Sequence, residues 1–236
     1  MMQWKHFESF IYSLFKFFTM DYGRLLNSFR QREQVIKQRL EDFKQVYNWP
    51  ETKLFCELAF CLLTPQSRAR SCDSAVQDLE KKELLQKGTP KKIAKILKLK
   101  GVRFYNNKAK YIIEARGQFF NGSNSLRNSL EGWRAQTNSS IDFRNLVSKN
   151  IKGLGLKEAS HFLRNIGHGE ELAILDRHIL KNLVKYRVIR EIPKSLTAKR
   201  YHEIEQKLFK FANKIGISGA ELDLLLWSEE TGEIFK

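Results

Sequence analysis

Apolar residues recur along most of the chain at the spacing of an α-helix with one buried face. Between residues 24 and 46 the positions that follow this spacing are Leu25, Leu26, Phe29, Val35, Ile36, Leu40, Phe43 and Val46. The pattern resumes after Pro50 and again between Phe104 and Phe120, with little sign of the alternation of a half-buried strand. The sequence therefore predicts an all-α fold.

Capping residues mark the ends of several predicted helices. Thr89 and Pro90 predict the N-cap and the first helical position of a short lysine-rich helix. Ser218 and Glu221 have the spacing of a capping box, which predicts the start of a final helix. These local signals agree with the periodicity and fix where individual helices begin.

The net charge of the chain indicates which kinds of binding partner it favours. The chain has 42 Lys and Arg against 26 Asp and Glu, a net charge of +16, which favours a polyanion such as nucleic acid or an anionic membrane. Residues 7–20 carry Glu8 and Lys16 and are too short to span a bilayer, so we expect no membrane partner. We interpret residues 1–21 as an extension of no assigned function. The alternative is a misassigned start codon, with Met20 as the true first residue.

The number and spacing of the three cysteines limit which metal sites the chain can form. Cys56, Cys61 and Cys72 lie in apolar helical sequence without a CxxC spacing, which is typical of reduced core thiols in an intracellular protein. A cluster held by four cysteines is excluded, and a zinc site made from these three alone is disfavoured.

Residues 151–178 hold the side chains best suited to chemistry. Gly153 and Gly155 form a Gly-x-Gly hairpin that opens a helix, where backbone N–H groups suit a phosphate. Lys157 follows, and Asp176 lies 176 − 157 = 19 residues further on as a predicted N-cap. An amine with a carboxylate beside it can attack a sugar carbon. The alternatives are an ordinary helix C-cap and a solvated surface lysine.

A resemblance to a known family becomes specific in residues 150–180, which contain NIKGLGLKEASHFLRNIG and LAILDRHIL. This stretch resembles the helix–hairpin–helix superfamily of base-excision DNA glycosylases, and more narrowly the type 2 (archaeal-type) 8-oxoguanine DNA glycosylase/AP lyases. The likeness covers residues 22–236, with further matching segments at Leu62-Leu63-Thr64, Arg103-Phe104-Tyr105, Glu191-Ile192-Pro193-Lys194, Glu221-Leu222-Asp223-Leu224, Trp227, Thr231-Gly232 and Lys236.

The resemblance implies two helical domains with the active site in the cleft between them. Residues 52–168 would form a helical barrel that includes the hairpin. Residues 22–51 together with 169–236 would form the second domain. Against the pattern of the family that the chain resembles, we expect the turn at residues 167–171 to be one residue longer.

The resemblance also implies a bifunctional DNA N-glycosylase and AP lyase that acts on 8-oxoguanine. Lys157 would attack C1′ of the damaged nucleotide, expel the base and promote β-elimination from the Schiff base, while Asp176 would stabilise the charge on the sugar and help deprotonate the lysine. We expect no cofactor and no metal in catalysis. The partner would be double-stranded DNA containing 8-oxoguanine or abasic sites, bound by an intracellular, cytoplasmic or nucleoid-associated monomer.

Further residues are implied in lesion recognition and DNA binding. The terminal carboxylate of Lys236 would accept the N7–H that distinguishes 8-oxoguanine from guanine. Trp227 and Phe104 would contact the flipped base, with core packing as the alternative for both. Gln66 would fill the gap left by the flipped nucleotide. His178 is either a helix-surface residue or a donor to a DNA phosphate.

Two rival functions remain open from the sequence. One is a related glycosylase for another lesion, such as an oxidised pyrimidine or a mispaired base. The other is a noncatalytic DNA-binding protein that uses the hairpin alone.

Overall fold

The computed structural model describes the backbone of residues 2–120 and 125–236, and the side chains of residues 22–120 and 125–236. Across these residues the chain forms α-helices and no β-strand, which confirms the all-α prediction. The helices are α1 (Met2–Val46), α2 (Glu51–Leu63), α3 (Ala69–Lys81), α4 (Leu84–Lys87), α5 (Pro90–Leu99), α6 (Tyr105–Phe119), α7 (Leu126–Ala135), α8 (Ser140–Asn150), α9 (Leu156–Asn165), α10 (Arg177–Lys185), α11 (Ala198–Ile215) and α12 (Gly219–Thr231).

The chain divides into two compact units. The central unit comprises Leu40–Ile174 together with Lys236, and the terminal unit comprises the residues up to Arg39 together with Leu175–Phe235. These limits differ from the predicted domain boundaries, because residues 40–51 and 169–174 belong to the central unit. The assignment of residues 1–21 to a separate extension stays a prediction, since their side chains lie outside the described residues.

Contacts near the end of α1 explain why residues 40–51 belong to the central unit. The Arg127 guanidinium donates to the backbone carbonyl of Tyr47 and, at 2.6 Å, to that of Trp49. The backbone at Gly167 approaches Lys44 so closely that a Cβ on the glycine would lie 2.7 Å from the Lys44 Cα. These residues are therefore tied to α7 and to the turn after α9.

Helix α2 forms the core of the central unit. Its residues from Leu54 to Leu63 are all buried, and it packs against α3, α6, α7 and α9. Pro50 precedes it with an extended backbone, so α1 and α2 are separate helices. A helix that is apolar on every side needs neighbours all round, which is the environment that α2 has.

The three cysteines are buried and free, as predicted for core thiols. Burial raises the pKa of Cys56 to about 12 and that of Cys72 to about 11. Burial also raises the pKa of Cys61 well above its ordinary value. The thiol of Cys72 donates to the backbone carbonyl of Leu63 at 3.1 Å, so it contributes to the end of α2.

The terminal unit is built around α12, which packs against α10 and α11. The predicted capping box is confirmed, because the Ser218 hydroxyl accepts from the Glu221 N–H and the Glu221 carboxylate accepts from the Ser218 N–H. The Thr89 cap is also confirmed in the central unit, where its hydroxyl accepts from the Lys92 N–H. None of the helices in the described part of the chain has the length and apolar character needed to cross a bilayer.

Candidate active site

The predicted site residues are distributed over both units. The central unit holds Gln66, Phe104, Gly153, Gly155, Lys157 and Lys236, and the terminal unit holds Asp176, His178 and Trp227.

The hairpin between α8 and α9 is a tight turn that only glycine fits. Gly153 has a φ of +96°, and a Cβ at this position would lie 2.7 Å from a ring carbon of Tyr111 and 3.2 Å from Leu62 Cδ2. Gly155 is the N-cap of α9 and has no side chain to occupy the first turn. The start of α9 is therefore a place where backbone N–H groups can meet a phosphate.

Lys157 lies at the second position of α9, directly behind the hairpin. Its Nζ is 2.9 Å from Glu158 Oε1, and the two side chains are 23% and 11% exposed. A Cβ at Gly155 would lie 3.1 Å from Glu158 Oε2, so the absence of a side chain at Gly155 leaves room for this carboxylate. Glu158 was not predicted from the sequence, although an acid at the third helical position is a recognisable N-terminal signal.

Lys236 is anchored in the central unit by its side chain. Its ammonium is 2.8 Å from Glu57 Oε1 and 3.0 Å from Asp73 Oδ1, and it lies 5.0 Å from the centre of the Phe60 ring. Burial lowers the pKa of Lys236, but Glu57 and Asp73 outweigh it and raise the pKa above its ordinary value. The last residue is thus held as a charged group between two carboxylates and an aromatic face.

The anchoring carboxylates are themselves held in place. Glu57 Oε2 accepts from Asn165 Nδ2 at 3.2 Å, and Asp73 Oδ2 accepts from Gln77 Nε2 at 2.7 Å. Glu57, Asp73 and this use of the Lys236 side chain were not predicted from the sequence. The available signal was an acid at residue 57 inside the apolar run LFCELAFCLL, because a buried carboxylate requires a partner.

The charges of Lys157 and Lys236 both lower the pKa values of the same two buried groups, His161 and Cys61. Burial lowers the pKa of His161 well below its ordinary value, and the charges of Lys157 and Lys236 act in the same direction. Both lysines also oppose the rise in the pKa of Cys61 that burial causes. The central unit therefore brings the predicted nucleophile and the last residue to one region of α2 and α9.

Two predicted DNA-contacting residues have unusual backbones. Gln66 and Phe104 have φ values of 53° and 56°, in the left-handed region that residues other than glycine seldom adopt. Gln66 is exposed, and Phe104 is 53% exposed with the Arg103 guanidinium 5.5 Å from the centre of its ring. The core-packing alternative for Phe104 is therefore wrong.

The terminal unit holds the predicted carboxylate at a helix start. Asp176 is the N-cap of α10, where its Oδ1 accepts from the Ile179 N–H at 2.8 Å, so the N-cap prediction is confirmed. His178 lies two residues further on, with its Nδ1 3.9 Å from Glu230 Oε2. A hydrogen bond from Lys181 lowers the pKa of Glu230, and His178 acts in the same direction.

Trp227 lies on α12 in the terminal unit. Its side chain is half-buried, and its ring centre is 6.4 Å from that of Phe235 at an angle of 31°. The Trp227 indole therefore has an aromatic neighbour on one side, and part of its surface reaches solvent.

A family model and a curated relative point to one class of protein. A family model described as 8-oxoguanine DNA glycosylase matches residues 36–217. The 8-oxoguanine DNA glycosylase/AP lyase of Fusobacterium nucleatum is 42% identical over 209 residues, which span 88% of this chain and 94% of that protein.

Solved structures agree with the sequence comparison. The crystal structure of the 8-oxoguanine DNA glycosylase of Thermotoga maritima superposes with a TM-score of 0.80 at 33% identity, over 93% of this chain and all of that one. The Methanocaldococcus jannaschii 8-oxoguanine glycosylase/lyase, in complex with a 15mer DNA containing 8-oxoguanine, gives a TM-score of 0.78 at 31% identity over 90% of this chain and 100% of that chain. The all-α fold with a hairpin before Lys157 is thus that of the helix–hairpin–helix DNA glycosylases. The chain belongs to the 8-oxoguanine DNA glycosylase family.

The hairpin geometry predicts a specific loss of stability. We expect Gly153→Ala to lower the free energy of unfolding by about 2–4 kcal/mol, since it adds left-handed strain to an overlap with Tyr111. Gly101→Ala is the matched control: Gly101 has a φ of +73°, but a Cβ there would meet nothing within 4 Å, so only the strain of about 1–2 kcal/mol applies. Urea denaturation measures both, and equal losses would contradict the proposed overlap.

Proposed function

We propose that this protein is a bifunctional DNA repair enzyme that removes 8-oxoguanine from double-stranded DNA and nicks the strand at the resulting abasic site. The observation that carries the proposal is the position of Lys157. In a chain of this family, a part-buried lysine stands one residue inside a helix whose N-terminus is left open by a Gly-x-Gly hairpin. A phosphate bound at that N-terminus would hold the sugar of the same strand near the lysine amine.

Lys157 is the proposed nucleophile. Its neutral amine attacks C1′, the C1′–N9 bond breaks, and the base leaves with a proton. The C1′–O4′ bond then breaks, O4′ takes up a proton, and the bond between C1′ and the lysine nitrogen becomes an iminium. The iminium acidifies the C2′ proton, whose loss expels the 3′ phosphate and nicks the strand. An amine is required for the second step, because an activated water would release the base without forming an imine. The ion pair with Glu158 holds the amine in place before DNA binds.

Asp176 is the proposed electrostatic partner of the sugar. A carboxylate stabilises the positive charge that develops on C1′ and the ring oxygen as the base leaves. Its N-cap bond to Ile179 fixes one carboxylate oxygen on the backbone of α10, so the group cannot move away as charge develops. A rigid, preorganised carboxylate serves this purpose better than a mobile one.

The remaining site residues are proposed to select and hold the lesion. A main-chain oxygen of Lys236, positioned by the anchored ammonium, would accept the N7–H of 8-oxoguanine and repel the N7 lone pair of guanine. Phe104 and Trp227 would each offer an aromatic surface to the flipped base. Gln66 would fill the vacated space in the duplex. Gly153 and Gly155 would meet the backbone phosphate, and His178 would donate to another phosphate.

The net charge of +16 supports duplex DNA as the partner, since phosphate contacts dominate affinity for nucleic acid. We propose that the protein acts as a monomer in the compartment that holds the DNA, in association with the nucleoid.

Borohydride trapping tests the nucleophile. We expect the wild-type protein to form a covalent adduct with an 8-oxoguanine duplex, and we expect Lys157→Gln to abolish it because the amide cannot form an imine. Lys149→Gln is the control, since it removes an exposed lysine from the last turn of α8 and should trap normally. A trapped adduct with Lys157→Gln would reject the assignment, and no adduct from the wild type would favour a noncatalytic DNA-binding protein.

A panel of duplexes tests the substrate in the same assay. Efficient trapping on oxidised pyrimidines or mispaired bases, with no preference for 8-oxoguanine, would instead support a glycosylase for another lesion.

Asp176→Asn separates the two roles of this residue. Asparagine caps helices about as well as aspartate, so we expect the thermal midpoint to stay close to that of the wild type. Because the charge is lost, we expect the single-turnover rate of base release to fall by about 100- to 1,000-fold. A wild-type rate in a stable Asp176→Asn protein would show that the carboxylate serves only as a cap.

Deletion of Lys236 tests lesion discrimination. We expect the preference for 8-oxoguanine over guanine to fall by about 10- to 100-fold, the value of one hydrogen bond to a charged group, while cleavage of abasic sites changes little. Lys236→Met keeps the main chain but removes the ion pairs to Glu57 and Asp73, so it should lose part of the preference. Equal losses on both substrates would argue against a role in base selection.

A further inference from the structure

Two exposed turns of the central unit are held in an unfavourable backbone conformation. Gln66 follows the end of α2, and Phe104 precedes the first residue of α6. Both have left-handed φ angles, which are strained for a residue other than glycine. Such residues persist only where their surroundings fix them. We call residues 64–67 and 103–104 the two-turn surface.

A single buried ammonium supports the first of these turns. Lys108 is 3% exposed, and its Nζ donates to the Leu63 carbonyl at 2.6 Å, the Pro65 carbonyl at 2.7 Å and the Ser67 hydroxyl at 2.9 Å. An ammonium has three protons, so each of them has an acceptor here. The three acceptors flank Gln66 in sequence, and the Gln66 backbone is thereby fixed from both sides.

The Ser67 hydroxyl extends this support to the second turn. Its Oγ also accepts from the backbone N–H of Arg103 at 3.0 Å. Ser67 comes directly after Gln66, and Arg103 comes directly before Phe104. The N–H of Lys108 itself donates to the Phe104 carbonyl at 3.1 Å, in the first turn of α6. Gln66 and Phe104 are therefore joined through one ammonium and one hydroxyl.

The ammonium is held at an energetic cost. Burial lowers the pKa of Lys108 to about 8, and Lys157 and Arg103 act in the same direction, while Cys72 and Glu158 oppose them. Within the described residues, the hydrogen-bond acceptors of Lys108 are carbonyls and a hydroxyl rather than a carboxylate. Capping of the carbonyls at the end of α2 would explain part of this arrangement. Capping does not explain why the Lys108 ammonium also bonds to Ser67, whose hydroxyl accepts from Arg103.

We propose that Lys108 is a positioning residue that holds Gln66 and Phe104 in one fixed arrangement, in which Gln66 fills the vacated space in lesion DNA and Phe104 meets the flipped base. The inference rests on the proposed function, because it assigns a use to the two-turn surface in that reaction. Lys108 does not touch the reacting atoms in this role. Its contribution is to remove the conformational freedom that Gln66 and Phe104 would otherwise lose on binding.

The primary test compares binding and base flipping in Lys108→Met with those in Lys110→Met. Lys110 is exposed two residues further along α6, so its substitution removes the same charge without touching the two turns. The binding probe is a duplex with a tetrahydrofuran abasic analogue, and the flipping probe is 2-aminopurine fluorescence beside that analogue. We expect Lys108→Met to weaken binding at least about 10-fold and to lose the fluorescence change, and Lys110→Met to alter binding by less than about 3-fold.

A double-mutant cycle excludes a merely structural role. If Lys108 acts by positioning Gln66 and Phe104, then Lys108→Met should have little further effect on binding once Gln66→Ala and Phe104→Ala are both present. The rate of borohydride trapping at saturating abasic DNA should stay within about 3-fold of the wild-type rate, since Lys157 is unchanged. An undiminished effect of Lys108→Met in the Ala background, or an equal loss of binding and trapping rate, would overturn the proposal.

Ser67→Ala tests the proposal if Lys108→Met does not fold. This variant removes the link to Arg103 but leaves both carbonyl partners of the ammonium. We expect Ser67→Ala to weaken binding and the fluorescence change less than Lys108→Met would. Binding and flipping equal to those of the wild type would overturn the proposal. The tetrahydrofuran duplex requires no chemistry, so the result can be interpreted even if the wild type fails to trap 8-oxoguanine DNA. That failure would count against the proposed function alone.

Discussion

The burial of α2 is the constraint on which the central unit depends. Because its residues from Leu54 to Leu63 are inaccessible to water, every polar group on it requires a partner inside the protein. Glu57 meets this requirement with Asn165 and Lys236, and the Leu63 carbonyl meets it with Lys108 and Cys72. Leu62 on the same helix lies so close to Gly153 that it helps to exclude a side chain from the hairpin. One buried helix thus connects the hairpin, the last residue and the two-turn surface.

The parts of the fold that could be predicted from the sequence are those fixed by neighbours along the chain. Thr89, Asp176 and Ser218 were identifiable as N-caps because each cap bonds to an N–H three residues further on. The helical period located most of the elements for the same reason. The Gly-x-Gly signal was also local, since the left-handed backbone of Gly153 and the open start of α9 depend on a few consecutive residues.

The parts that could not be predicted depend on contacts between distant residues. Lys236 and Glu57 are separated by 179 positions, and Lys108 lies 45 positions from Leu63. No periodicity reports such pairs, so the sequence does not reveal that the Lys108 ammonium is buried or that the Lys236 ammonium is part-buried and ion-paired. The limits of the two units differ from the predicted domain boundaries for the same reason. Arg127 ties the segment around Tyr47 and Trp49 to α7, and that bond is invisible to a local pattern.

The buried thiols have a consequence for how the protein withstands its surroundings. Peroxides attack the thiolate rather than the thiol, so the rate of cysteine oxidation follows the fraction ionised. With the pKa of Cys56 at about 12 and that of Cys72 at about 11, this fraction is very small near neutral pH, and burial restricts access as well. Oxidants that damage guanine would therefore find little reactive sulfur among these cysteines. In a protein that acts on oxidised DNA, these cysteines thus resist the oxidants that create its substrate.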